Sequence, residues 1–145
     1  MSTANTLTWE LSQAHHRQLA IARAEDKIPA TDRLRAIVGL WFTDVHWRDR
    51  IDARSGELRH TTKGPAAAGE VKLSVGFDGP ELPRALALAR GNDGITTTDR
   101  IRAALELWTG DEQFRTAVDR EAGRLRAGRR SRNTTSSVVT AAHSG

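Results

Sequence analysis

Polar and apolar side chains alternate in two short segments of the chain, residues 6–11 and residues 71–77. Strict alternation is typical of a β-strand that buries one face and exposes the other. The polar positions carry an amine, a carboxylate, hydroxyl groups and one glycine, so the exposed faces would offer hydrogen-bond donors and acceptors to a polar partner. These positions are Thr6, Thr8 and Glu10 in the first segment and Lys72, Ser74 and Gly76 in the second.

The sequence offers little for catalysis or for metal binding. It contains no cysteine, which excludes thiolate chemistry and a disulfide framework. His15 and His16 occupy neighbouring positions of a helical pattern and therefore face different ways, and no other histidines or carboxylates have metal-ligand spacing. Phosphate-binding loops, nucleophile elbows and dinucleotide fingerprints are also missing from the sequence. We therefore predict that the protein is not an enzyme and has no catalytic residue, metal ligand or cofactor.

The chain is basic, with a net charge of +4 and an isoelectric point of about 10.6. A positive excess suits a polyanionic partner. Five arginines crowd residues 124–132, whereas most of the others alternate with acidic residues and are expected on solvated helical faces. The clearest alternation predicts a salt-bridged solvent face and not an acid–base pair. It comprises Asp44, Arg48, Asp49, Arg50, Asp52 and Arg54.

Two helical patterns follow each alternating segment. After the first segment, Ser12 is the expected N-cap of a helix over residues 13–24, and Pro29 is expected to open the next helix. After the second segment, Pro80 opens a short helix, and Thr96 is the expected N-cap of the helix that follows. Each strand is therefore predicted to lead into a pair of helices.

A third helical pattern follows Asp44 in one part of the chain and Asp111 in the other. Both patterns carry an apolar seam, which can either pack on the domain as extra core or bind another copy of the protein. We expect the seams to pack on the domain as extra core, because a small domain with few aromatic residues needs to bury this apolar surface.

The chain contains an internal duplication. A displacement of 67 positions aligns residues 28–36 with residues 95–103, and the match continues into the third helical patterns. A shift of one residue near Gly79 aligns the two alternating segments as well. Because a single strand can neither satisfy its own edges nor bury its apolar face, each copy is expected to need the other.

The strand and the helix pair resemble the ribbon-helix-helix family of DNA-binding proteins, of the Arc, MetJ and CopG type. The resemblance covers residues 71–108 well and residues 6–41 more loosely, so the chain resembles a tandem form with both protomers fused. It implies a mainly α fold with a two-stranded antiparallel β-ribbon and an extra third helix in each repeat. In that family the ribbon enters the major groove of double-stranded DNA.

The resemblance makes the six polar strand positions the candidate base contacts. Lys72 can donate to guanine O6 and N7, and the hydroxyl residues can contact several base edges. Gly76 would permit close approach to the DNA. Glu10 can accept from a cytosine amine or pair with Lys72 across the ribbon.

The resemblance also implies phosphate contacts at the start of the second helix of each repeat. Thr96, Thr97 and Thr98 occupy that start in the second copy, although an ordinary helix cap is an alternative explanation for this run. The first copy departs from the pattern. There, Lys27 replaces the turn glycine and Pro29–Ala30 replaces two threonines, which leaves Thr31 and Lys27 as partial substitutes.

We predict four parts in the chain. Residues 1–59 form the first repeat with its third helix, residues 60–69 the linker, residues 70–130 the second repeat and residues 131–145 a disordered tail. The absence of a signal-peptide pattern and of a long apolar run predicts a cytoplasmic protein without membrane contact.

The resemblance favours a transcriptional repressor or autoregulator, and it allows self-association on adjacent DNA sites. A plasmid accessory protein of conjugation or partition is an alternative with the same binding mode. An antitoxin-like module that binds a protein partner through its third helices or tail is an alternative of another class.

Overall fold

The structure is a computed structural model that describes the backbone of residues 5–61 and 71–144 and the side chains of residues 5–59 and 71–128. The described part is mainly helical, with one two-stranded antiparallel sheet, as the sequence predicts. None of its helices has both the length and the apolarity that a membrane crossing would require. In chain order the elements are β1 (Thr6–Leu11), α1 (Gln13–Asp26), α2 (Ala30–Thr43), α3 (Val45–Thr61), β2 (Val71–Gly76), α4 (Glu81–Asp93), α5 (Thr97–Gly110) and α6 (Glu112–Ser144).

The inner face of the sheet lies on the core. Leu7 is directly opposite Val75, and Trp9 is directly opposite Leu73. Trp9 is 2% exposed and Val75 is fully buried, and the Trp9 ring meets the ring of Phe77 edge to face. The predicted alternation therefore separates a buried face from an exposed face, because successive side chains of a strand point to opposite sides.

The predicted caps and turns are present in both repeats. Ser12 Oγ accepts a hydrogen bond from the His15 amide at 3.1 Å, and Thr96 Oγ1 accepts one from the Asp99 amide at 3.2 Å. The first helix of each repeat ends at a left-handed residue, Lys27 with φ 66° and Gly94 with φ 71°. Glycine adopts this conformation without steric cost, whereas lysine does not.

The helices of the two repeats interlock. Helix α2 packs against α6, and α3 packs against α5, so each third helix contacts the second helix of the other repeat. Trp47 of α3 packs against Phe114 of α6, with ring centroids 4.9 Å apart. Ile51 is 1% exposed and Val118 is fully buried. The apolar seams of the third helices thus form extra core, as expected.

Two buried arginines join the repeats. Arg100 is 2% exposed; its Nη1 donates to the carbonyl oxygen of Ile95 at 2.9 Å, and its Nη2 pairs with Asp93. Its Nε donates to Asp52 Oδ1 at 3.1 Å, and the same oxygen accepts from Trp41 Nε1 at 2.8 Å. Arg33, which is 1% exposed, makes the duplicate set of contacts. Its partners are Asp26, Ile28 and Asp119, and Asp119 also accepts from Trp108.

Arg33 and Arg100 are thus exceptions among the arginines, most of which are expected on solvated faces. The network corrects the expectation for Asp52, which joins α3 to α5. Arg50 and Arg54 do form more exposed ion pairs, with Asp111 and Glu106. The prediction failed for Asp52 because charge alternation along one helix carries no information about which face another repeat will cover.

The C-terminal segment also differs from the prediction. Helix α6 continues to Ser144, whereas residues 131–145 are predicted to form a disordered tail. After Gly128 there is no glycine or proline before Ser144 to end a helix whose first turns are held by packing. The predicted linker, residues 60–69, lies largely outside the described residues, and the division into four parts stays a prediction.

Candidate nucleic-acid interface

The six polar strand residues share the outer face of the ribbon. They form three directly opposed pairs along the antiparallel register. The hydroxyls of the central pair are hydrogen-bonded at 2.8 Å. The structure therefore brings all six predicted contacts together on one surface about two strands wide, away from the core. The pairs are Thr6 with Gly76, Thr8 with Ser74 and Glu10 with Lys72.

The outer face has an approximate two-fold axis at its centre. The alignment of the two strands equates Thr8 with Ser74, Thr6 with Lys72 and Glu10 with Gly76. The central pair is thus nearly symmetric, but the ends are not. One end presents both a carboxylate and an ammonium group, and the other presents a hydroxyl group beside a glycine.

Glu10 and Lys72 face each other, but they do not form an ion pair. They are register partners at one end of the ribbon, and no ion pair between them occurs among the described side chains. Lys72 is exposed and Glu10 is half-buried. The Lys72 ammonium group is therefore available to an external acceptor.

Two further arginines fix the ends of the ribbon, and the sequence did not identify them as part of the site. Arg35 Nε in α2 donates to the carbonyl oxygen of Gly76 at 2.5 Å, and Arg102 Nε in α5 donates to that of Glu10 at 3.1 Å. Each bond joins a helix of one repeat to the strand of the other. The only sequence signal was their equivalence, since Arg35 and Arg102 are related by the 67-residue displacement.

The start of α5 has the features of an anion site. Thr96 is exposed, and its hydroxyl caps the amide of Asp99, so the alternative role as a helix cap is fulfilled by this residue. Thr97 and Thr98 are half-buried and are the first two residues of the helix, so their amides have no carbonyl partner within it. Free amides and the helix dipole both favour an anion at this position.

The start of α2 is the weaker counterpart. Pro29 is its N-cap, and no side chain caps this helix. Thr31 is half-buried in the first turn. The ammonium group of Lys27 is 3.4 Å from the carbonyl oxygen of Ala24, at the end of α1. The start of α2 therefore lacks the side-chain cap that Thr96 provides at the start of α5.

Helices α5 and α2 contact the ribbon at opposite ends. Helix α5 contacts β1, and its Arg102 is hydrogen-bonded to the end of the ribbon that carries Glu10 and Lys72. Helix α2 contacts β2, and its Arg35 is hydrogen-bonded to the end of the ribbon that carries Thr6 and Gly76. The charged end of the ribbon is therefore held by the helix that begins with the threonine run.

No protein-family model, curated protein or solved structure matches the chain.

Proposed function

We propose that the protein is a tandem ribbon-helix-helix protein that binds double-stranded DNA sequence-specifically and acts as a transcriptional repressor or autoregulator. The observation that carries this proposal is the outer face of the ribbon, where hydrogen-bonding residues occupy all three opposed pairs. A two-stranded ribbon fits the major groove, which is about 12 Å wide.

The size of the outer face suits a short DNA element. Residues on one face of a strand are separated by roughly 6.6 Å, so the three pairs span roughly 13 Å. This corresponds to about four base pairs at roughly 3.4 Å per step. Ser74, Thr8 and Thr6 can contact several bases, whereas Lys72 prefers the acceptors of guanine.

Affinity would come mainly from the phosphate backbone. The outer face carries one ammonium group and one carboxylate, so its own charges cancel. The free amides at the start of α5 would hold one phosphate, and the start of α2 would hold another more weakly. Because the two halves differ both at the ribbon ends and at the helix starts, the expected DNA site is not palindromic.

Selection of a binding site from random duplex DNA tests this function. We expect enrichment of one asymmetric motif, with log affinity falling linearly as log salt concentration rises. Ser74→Glu would place a carboxylate at the centre of the outer face and should abolish enrichment while the protein stays folded. Thr116→Glu, an equal change of charge at an exposed position in α6, is the control. No enrichment together with a flat salt response would refute DNA binding.

A further inference from the structure

A cleft of about 560 Å³ opens between α2, α6 and the segment that joins β2 to α4. Its volume lies in the range of small-molecule sites, roughly 300–1,000 Å³. Five partly buried apolar side chains line it, and each of them packs against the core on its other side. The cleft therefore has a preformed apolar wall. These side chains are Leu40, Phe42, Phe77, Leu82 and Leu125.

Gly39 keeps this cleft open. Its counterpart in the second repeat is Glu106, whose two carboxylate oxygens lie 2.6 and 3.3 Å from nitrogens of Arg54. The cleft beside Glu106 measures about 330 Å³. A Cβ atom at position 39 would meet nothing within 4 Å, so the space beside Gly39 is empty. Glycine is unfavourable within a helix, so neither helix stability nor packing explains its presence in α2.

At the mouth of the cleft, the arginines have ion-pair partners, whereas two of the carboxylates have none within the described part of the chain. Arg35 is bound to Asp32 and to the Gly76 carbonyl group, and Arg124 is bound to Glu121. Asp78 and Glu81 are exposed, and neither has an ion-pair partner among the described side chains. The free charge beside the apolar wall is therefore negative.

We propose that this cleft binds an amphipathic organic cation. The apolar part of the ligand lies against Leu40, Leu82 and Leu125, and its ammonium group lies at Asp78 and Glu81. Phe42 and Phe77 add aromatic rings, which attract organic cations. This site does not depend on the DNA-binding function proposed above.

Calorimetric titration of the 145-residue chain without DNA tests the proposal. The probe is benzyltrimethylammonium, compared with benzyl alcohol and phenylacetate, which carry the same ring with no charge or a negative charge. We expect saturable binding of one cation per chain, and at least about tenfold weaker binding of the other two compounds. Absence of saturable binding, or equal affinity for all three compounds, would overturn the proposal.

Variants locate the binding to the cleft. Gly39→Leu should fill the cleft and weaken binding of the cation by at least about tenfold. Gly91→Leu is the control, because Gly91 is exposed in α4 and a Cβ atom there also meets nothing within 4 Å. Asp78→Asn combined with Glu81→Gln should remove the preference for the cation over benzyl alcohol. These two changes remove the negative charges but keep the size of the side chains, so the result does not depend on altered packing. A folded Gly39→Leu protein with unchanged affinity, or a retained charge preference in the double variant, would place the ligand elsewhere and contradict the proposal.

Discussion

Thr8 and Ser74 lie directly opposite each other at the centre of the ribbon, with their hydroxyl oxygens 2.8 Å apart. They occupy equivalent positions of the two repeats, so the pair marks the approximate two-fold axis of the outer face. The residues on either side of this pair differ between the repeats. The duplication therefore supplies the scaffold, and the substitutions at its ends supply the asymmetry on which the proposed DNA recognition depends.

Replacement of Lys72 by alanine tests its proposed role in base recognition. Because Lys72 is exposed and makes no ion pair among the described residues, Lys72→Ala should leave the thermal unfolding temperature nearly unchanged. It should weaken binding to the selected DNA by about 1–3 kcal/mol and relax the preference at one base pair. Arg120→Ala, the loss of an equal charge at an exposed position of α6, is the control and should leave the sequence preference unchanged and the affinity nearly so. A strong loss of stability in Lys72→Ala would show that the strand faces are reversed.

A carboxylate in the strand tests the separation of the two faces. Val75 is fully buried, so Val75→Asp should unfold the domain by burying an unpaired charge. Ser74→Asp changes the adjacent, exposed residue and should leave the protein folded. Circular dichroism and urea titration distinguish the two variants. Equal stability of the two would contradict the assignment of the core face.

Asp52 tests the network between the repeats. Asp52→Ala removes one acceptor of Arg100 and the acceptor of the Trp41 indole, and should destabilise the protein by about 1–3 kcal/mol. Asp49→Ala, in the same helix at an exposed position, is the control and should have little effect. Urea unfolding measures both variants. If Asp52→Ala lowers the free energy of unfolding no more than Asp49→Ala does, the network contributes nothing to stability.

The two left-handed turns make a paired prediction. Lys27 has φ 66°, so Lys27→Gly should stabilise the protein by about 0.5–1 kcal/mol through relief of steric strain. Gly94→Ala, at φ 71° in the other repeat, should destabilise it by about 1 kcal/mol or more. Thermal unfolding of both variants checks the two signs. Changes in stability of the same sign in the two variants would contradict the equivalence of the turns.

His15 makes stability depend on pH. Partial burial lowers the pKa of His15 below its ordinary value of 6.5; nearby Glu106 acts in the opposite direction, and Arg102 adds to the lowering. Its Nδ1 is buried without a hydrogen-bond partner. A group that is kept neutral on folding stabilises the protein fully above pH 6.5, and this contribution is lost as pH falls through the lowered pKa.

Urea unfolding between about pH 5 and pH 8 measures this effect. His15→Leu should flatten the decline of stability on acidification, whereas His46→Leu, at an exposed position, should leave it in place. An unchanged decline in His15→Leu would assign the pH dependence to other groups.

Local patterns accounted for the strands, their faces and the helix caps, because these depend on the spacing of residues such as Val75 and on single side chains such as Thr96. The duplication further indicated that the two strands would need each other. Contacts between repeats were not predictable, since the burial of Arg100 and the bond from Arg35 to Gly76 depend on which helix crosses which strand. The cleft beside Gly39 was missed for the same reason, because it forms only where α6 meets α2.

Site-specific cross-linking tests most directly whether the outer face of the ribbon meets the bases. The chain has no cysteine, so Ser74→Cys provides a unique attachment point for a short photoreactive group at the centre of this face. The DNA-binding account predicts cross-links to bases in the middle of the selected site, and none from Gln113→Cys on the exposed side of α6. Cross-links from position 113 but not from position 74, on DNA that the protein saturates, would contradict it.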